Sequence, residues 1–296
     1  MTRWRLRLSD ITLLYSTGGG FTEARVTKLD SIGVWRGGIR TMQTPIVISI
    51  EGNIGAGKST MMEMMREVFP EAEIVVEPVG EWMQFKNKEG KSLLELFYED
   101  KRRWAYTFQN CALLTRTKAL SDVIASTKKQ VIITERSILT DRYVFADMLR
   151  EAGDIDEMEW SLYLRWYERA TAQLSTTGII YLGTNVTQSA EHIIRRGRPG
   201  EECMSLDYLK ALDYQHKFWL DHTDLPVLKI NIAEGGAPPF MAIREFIQSL
   251  DQHRDGPCSR VVCDFCHPGQ TNITLADEGV TVQTGPRCRR RVVEME

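Results

Sequence analysis

One run of residues, Gly52-Asn53-Ile54-Gly55-Ala56-Gly57-Lys58-Ser59-Thr60, combines glycines with a lysine and two hydroxyls. Glycines let the backbone close tightly, so that several N–H groups point into one concavity and donate to phosphate oxygens. Lys58 is spaced to reach the outer phosphates of a nucleotide, and Ser59 to ligate magnesium. The flanks agree with that chemistry. Ile46-Val47-Ile48-Ser49-Ile50 reads as a buried strand and Met61-Met62-Glu63-Met64-Met65-Arg66 as a helix, whose N-terminus adds favourable partial charge. The loop speaks for a bound triphosphate and leaves the acceptor open.

Other charged groups fall at the ends of short apolar runs. Ile74-Val75-Val76 delivers Glu77-Pro78, and Val131-Ile132-Ile133 delivers Glu135-Arg136. A carboxylate stiffened by a following proline suits proton transfer from a hydroxyl, and arginine suits phosphate charge. Arg195, Arg196 and Arg198 form a third cationic group beyond a fourth run, Ile179-Ile180-Tyr181-Leu182.

These runs are the strands that must position the chemistry. Helical spacing separates them: near 58–69, across 92–126 (through Leu93, Leu96, Phe97, Trp104, Phe108, Ala112 and Leu113), near 140–151, near 156–174, near 206–222 and near 239–251. Val227-Leu228-Lys229-Ile230 is a fifth strand. Strands alternating with helices predict an α/β fold, a five-stranded parallel sheet flanked by helices. In such sheets ligands gather beyond the C-terminal strand ends, where Glu77 and Glu135-Arg136 fall.

From about residue 45 to 250 the chain resembles the deoxyribonucleoside kinase family, in the branch that accepts deoxycytidine, deoxyguanosine and deoxyadenosine. The resemblance rests on Gly52 to Thr60, Val76-Glu77-Pro78-Val79-Gly80-Glu81-Trp82, Trp104-Ala105-Tyr106-Thr107-Phe108-Gln109, Thr134-Glu135-Arg136-Ser137-Ile138-Leu139-Thr140-Asp141-Arg142-Tyr143 and Arg196-Gly197-Arg198. It implies a P-loop kinase fold with an arginine-rich lid, and a homodimer. The implied reaction is transfer of the γ-phosphoryl group of ATP, or another nucleoside triphosphate, to the 5′-hydroxyl of a deoxynucleoside in nucleotide salvage. On that resemblance the loop residues 52–60, with Arg196 and Arg198, bind ATP; Glu77 is the catalytic carboxylate; Lys58 and Arg136 complete the catalytic set; Ser59 and Glu135 hold Mg2+. One position departs from the family: His192 stands where members commonly carry a further arginine, and the extra Arg195 is placed to compensate. A non-catalytic subunit of the same fold would not need Lys58, Glu77 and Arg136, all present here. A nucleoside monophosphate kinase shares the loop and lid but needs a site for the acceptor's phosphate.

The acceptor pocket has its own residues. Gln109 offers an acceptor and two donors on one planar amide, which suits the polar edge of a base. On the resemblance, Trp82 and Phe145 wall the base, Tyr98 and Glu201 grip the sugar 3′-hydroxyl, and Ala112, Arg116 and Asp141 match the deoxycytidine and purine branch. Cytosine and adenine present an amino donor where thymine presents a carbonyl and a methyl group. An arginine–aspartate pair at the base therefore favours deoxycytidine first, then deoxyadenosine and deoxyguanosine.

Composition sets the frame. Of 296 residues 43% are apolar and 26% charged, with a net charge of −3, which exerts no general pull toward nucleic acid or a membrane. No apolar run is long enough to span a bilayer. The body reads as intracellular, cytoplasmic in the first place. Residues 1–43 form a basic, glycine-interrupted extension expected to be disordered, and its arginines keep a mitochondrial leader open. The kinase domain is expected over 44–251. Residues 252–296 are a polar tail, expected to be disordered; its Cys258, Cys263, Cys266, His267 and Cys288 are ligand types for zinc, but at irregular spacing among arginines.

Overall fold

The computed structural model describes residues 44–172, 174–231 and 238–252, together with strand segments at 12–16, 21–25, 271–276 and 279–283. The chain forms two units, Met1–Gln43 and Thr44–Glu296. In the first, Thr12–Ser16 pairs antiparallel with Phe21–Arg25. The second carries the chemistry.

A strand of branched apolar residues is stable only where both of its faces are covered, and β1 (Ile46–Glu51) is buried at every position. It runs parallel to β3 (Val131–Glu135) on one side and β4 (Gly178–Gly183) on the other. Outside these lie β2 (Ala72–Val75) and β5 (Val227–Asn231), giving the parallel order β2-β3-β1-β4-β5. This is the five-stranded parallel sheet that the sequence predicts. β6 (Thr271–Ala276) continues it parallel to β5, and β7 (Gly279–Gln283) pairs antiparallel with β6.

Side chains alternate across β1 with period two and feed two apolar layers. Ile46, Ile48 and Ile50 pack with Met61, Met62 and Met65 of α1 (Lys58–Val68) and Ile243 and Leu250 of α9 (Phe240–Gln252). Val47, Ile132 and Ile179 face the opposite layer. There they join Phe97 of α3 (Leu93–Glu99), Phe108 of α4 (Lys101–Ser126), Tyr163 of α6 (Glu157–Thr171), and Leu212 and Leu220 of α8 (Leu206–His222).

Three local features differ from the periodic reading. The helical stretch over 92–126 divides at Asp100, whose carboxylate accepts from Arg103 N at 3.1 Å and caps α4. A short α2 (Val79–Gln84) follows Pro78. The helix expected near 140–151, α5, begins earlier: Ile138–Thr140 runs through a π-helical turn, Asp141–Ala146, into Asp147–Glu151. π turns are concentrated at functional sites. The remaining helix, α7 (Val186–Arg196), ends at Gly197 in the left-handed conformation.

No helix among the described residues is long and apolar enough to cross a membrane. Cys258, Cys263, Cys266, His267 and Cys288, like most of the leader and tail read as disordered, lie outside the described residues.

Candidate active site

The glycine loop joins β1 to α1, and its geometry shows why glycine is needed at its start. Gly52 has φ 148°, and a Cβ there would lie 2.7 Å from the Leu182 carbonyl oxygen of β4. Asn53 pins the loop from beneath, donating to Leu209 O at 2.9 Å and accepting from Ile54 N at 2.8 Å. Lys58 is buried and folds back on the loop, donating to Asn53 O at 2.6 Å and Gly52 O at 3.1 Å. Burial, with repulsion from Arg136, lowers its pKa to about 7 against the pull of Glu77 and Glu135.

Apart from Gly52 and Asn53, every residue predicted for the site lines a single cleft of about 1180 Å³. Its lining includes 54–60 of the loop, His192, Arg195, Arg196 and Arg198. Trp82, Tyr98, Gln109, Ala112, Arg116, Asp141 and Phe145 line it too, with Glu77, Glu135 and Arg136.

A buried chain of charges joins these elements. Arg116, from α4, meets Asp141 of α5 through two contacts, Nε to Oδ2 at 2.9 Å and Nη2 to Oδ1 at 3.2 Å. Its Nη1 donates to Glu135 O at 3.1 Å, and Nη2 also reaches Glu77 Oε1 at 2.9 Å. Arg136 Nε lies 3.3 Å from the same Glu77 oxygen. Burial alone would raise the Glu77 pKa, but Arg116, Arg136 and Lys58 reverse that and hold it at about 2. Glu77 is therefore held ionised across the physiological range.

Glu135 approaches Ser59 from the end of β3, with Ser59 Oγ donating to Oε1 at 2.8 Å. One carboxylate and one hydroxyl beside a phosphate loop fit the donor set of magnesium, which takes its remaining ligands from phosphate and water. No group of three or more His, Cys, Asp or Glu side chains suited to a metal occurs among the described residues.

The Gln109 amide oxygen is buried and has no hydrogen-bond partner. Trp82 stands edge-on to Phe108 at 5.2 Å and donates to Thr115 Oγ1 at 2.9 Å. Glu201 is occupied by the lid: it accepts from Arg196 at 2.7 Å and 2.9 Å and from Arg198 at 3.1 Å. His192, the departure from the family pattern, places Nδ1 2.8 Å from the loop carbonyl of Gly55. It tethers α7 to the loop while lining the cleft beside Arg195.

Comparison with known proteins decides the class. The family described as deoxynucleoside kinase matches residues 48–240. The chain belongs to that family. It is 37% identical to deoxycytidine kinase 2 of Gallus gallus over 63% of this chain and 78% of that protein. Against human deoxycytidine kinase it is 33% identical, over 69% and 91%. With the mitochondrial deoxyguanosine kinase of Xenopus laevis it shares 33% identity over 63% and 81%. The kinase is thus an enzyme of nucleoside phosphorylation that uses a nucleoside triphosphate as donor.

Two ionisable groups beside this site escaped the sequence reading. Glu51, fully buried at the end of β1, accepts from Ser137 Oγ at 2.7 Å, and burial raises its pKa. A carboxylate ending a largely apolar strand was a usable signal. His216, buried on α8, lies 3.4 Å from Arg136. Its place in the chain carries no such signal.

Because the Lys58 charge in the free enzyme is lost as pH rises through about 7, kcat/KM for the donor should fall above that point, at a limit of about tenfold per pH unit. Bound phosphate restores the charge, so kcat should stay level to higher pH. Steady-state kinetics from pH 6 to 9 with saturating acceptor check this, and a donor kcat/KM that stays flat overturns it.

Proposed function

We propose that this kinase transfers the γ-phosphoryl group of ATP to the 5′-hydroxyl of deoxycytidine by preference, with deoxyadenosine and deoxyguanosine as further acceptors. The observation that carries this reading is the acceptor end of the cleft. The unpartnered Gln109 oxygen needs a donor, and Asp141, though paired with Arg116, keeps lone pairs that an exocyclic amino group can meet. Thymine would set its carbonyl against that carboxylate and its methyl group against the buried pair. The relatives named above as deoxycytidine and deoxyguanosine kinases support the same choice.

In this reading residues 44–251 form the catalytic domain. Trp82 and Phe145 enclose the base, and Tyr98 and Glu201 hold the 3′-hydroxyl. Glu77 orients the 5′-hydroxyl. Its oxygen attacks the γ-phosphorus, the bond to the β–γ bridging oxygen breaks, ADP leaves, and the proton passes to Glu77. A loose transition state asks little basicity of that carboxylate, so a pKa of about 2 is compatible with the role. Lys58 and Arg136 neutralise charge on the phosphates. Arg196 and Arg198 exchange Glu201 for the triphosphate when the lid closes. Ser59 and Glu135 would hold Mg2+, which supplies charge neutralisation on the β- and γ-phosphates when bound.

We also propose a homodimer formed through α6 and α4. Met158, Leu162 and Trp166 recur at four-residue spacing on α6 and are 71%, 48% and 60% exposed. Leu114 of α4 is 69% exposed. α4 packs against α6, so these side chains belong to one helix pair. An exposed apolar stripe of this kind marks an association surface.

Turnover with the four deoxynucleosides, ATP and Mg2+ should rank deoxycytidine first and thymidine last; thymidine turnover without deoxycytidine turnover overturns the base assignment. Activity on deoxycytidine monophosphate but none on deoxycytidine would overturn the acceptor class. Glu77→Gln should lower kcat about 100-fold or more while leaving ATP affinity within about threefold. Unchanged kcat would remove Glu77 from the reaction. Sedimentation should show a dimer for the native protein and a monomer for Trp166→Glu, and a native monomer would end the interface proposal.

A further inference from the structure

Arg136 lines the cleft, yet its backbone does little to aim it. It has a φ of 63°, and it is the non-glycine residue recorded at positive φ among the described residues. Its N–H continues the β1–β3 ladder by donating to Ile50 O at 3.0 Å. A guanidinium on a long flexible stem leaving such a turn needs outside contacts to set its direction. Three groups provide them. Glu77 Oε1 lies 3.3 Å from Nε, the Phe145 ring centre lies 4.9 Å from the guanidinium carbon, and His216 Nε2 lies 3.4 Å from Nη1.

These three are not equivalent. Glu77 and Phe145 line the cleft, and in the reading above both take up new contacts when a nucleoside enters. His216 is fully buried on α8 and does not line the cleft. Its contact to Arg136 can therefore last through turnover.

The imidazole is set up for this contact. Nδ1 lies 2.7 Å from Leu212 O, and because a carbonyl can only accept, the proton sits on Nδ1 and Nε2 presents a lone pair. The rings of Phe145 and Tyr181, centred 6.4 Å and 6.0 Å away, flank it. Burial, reinforced by the neighbouring Arg136 charge, holds the His216 pKa well below its usual value, so the accepting form persists. A protonated ring would turn a second donor toward a cation.

We infer that His216 is a positioning residue for phosphoryl transfer: by accepting from Arg136 Nη1 it aims the guanidinium at the acceptor 5′-hydroxyl and the incoming phosphoryl oxygens. It touches no substrate, and the inference rests on the role proposed for Arg136.

The experiment compares His216→Leu, His216→Gln, Arg136→Lys and the His216→Leu/Arg136→Lys double variant in the full chain, each with its thermal midpoint measured. Gln can place an oxygen near the Nε2 position; Leu cannot. His216→Leu should lower kcat about 10- to 100-fold, the scale of a misplaced catalytic group, with the KM for ATP within about threefold. His216→Gln should recover most of kcat. The double variant should be little slower than Arg136→Lys alone, because residues that act through one another are not additive. If His216→Leu does not fold, His216→Asn, polar but too short to reach Nη1, takes its place. An Arg136→Lys variant as active as the native enzyme would defeat the reading of Arg136 and this inference with it. A slow Arg136→Lys beside a His216→Leu variant within about twofold of native kcat would defeat this inference alone. Equal losses in the Leu and Gln variants that add to that of Arg136→Lys would make His216 merely structural and overturn it too.

Discussion

Two buried arginines held against two carboxylates are the constraint on which the site depends. Arg116 and Asp141 are almost wholly removed from water, and Arg116 and Arg136 share one oxygen of Glu77. Charges placed there are costly unless each is paired and hydrogen-bonded, and removing one partner of such a pair costs about 3–5 kcal/mol. The pairing therefore ties the segments just beyond β2 and β3 to the middle of α4 and the start of α5. It also places paired charges on the lining of the cleft.

The glycine loop and the lid arginines are organised on a different basis. There the loop offers backbone N–H groups and a lysine satisfied by its own loop carbonyls, while the lid arginines rest on Glu201. Lys58, Arg196 and Arg198 are thus each engaged by a partner within the chain. Glu201 itself lies on the lining of the cleft, where it accepts from both lid arginines.

Much of this was legible in the residues. Branched apolar runs specify buried strands because few other environments suit them, and the alternation with helical periods left a parallel sheet as the consistent arrangement. The boundary at Asp100 and the π turn at Asp141–Ala146 were not legible. Asp100 reads as an ordinary charged helix residue until its carboxylate is seen capping α4, and a π turn shares its composition with the α-helix around it. Val76 was read as part of a strand but lies beyond its end, 49% exposed, because β2 stops where its pairing with β3 stops.

The sequence by itself determined the phosphate loop, the parallel sheet and the identity of the charged residues at the strand ends, because these depend on local conformation and on period. Only the tertiary structure decided who neutralises whom. That Arg116 serves Asp141 and Glu77 together, that Glu201 holds the lid, and that His216 stands behind Arg136 depend on side chains distant in the chain meeting in a region without water. Ion pairing and desolvation act through space, and no spacing along the chain encodes them.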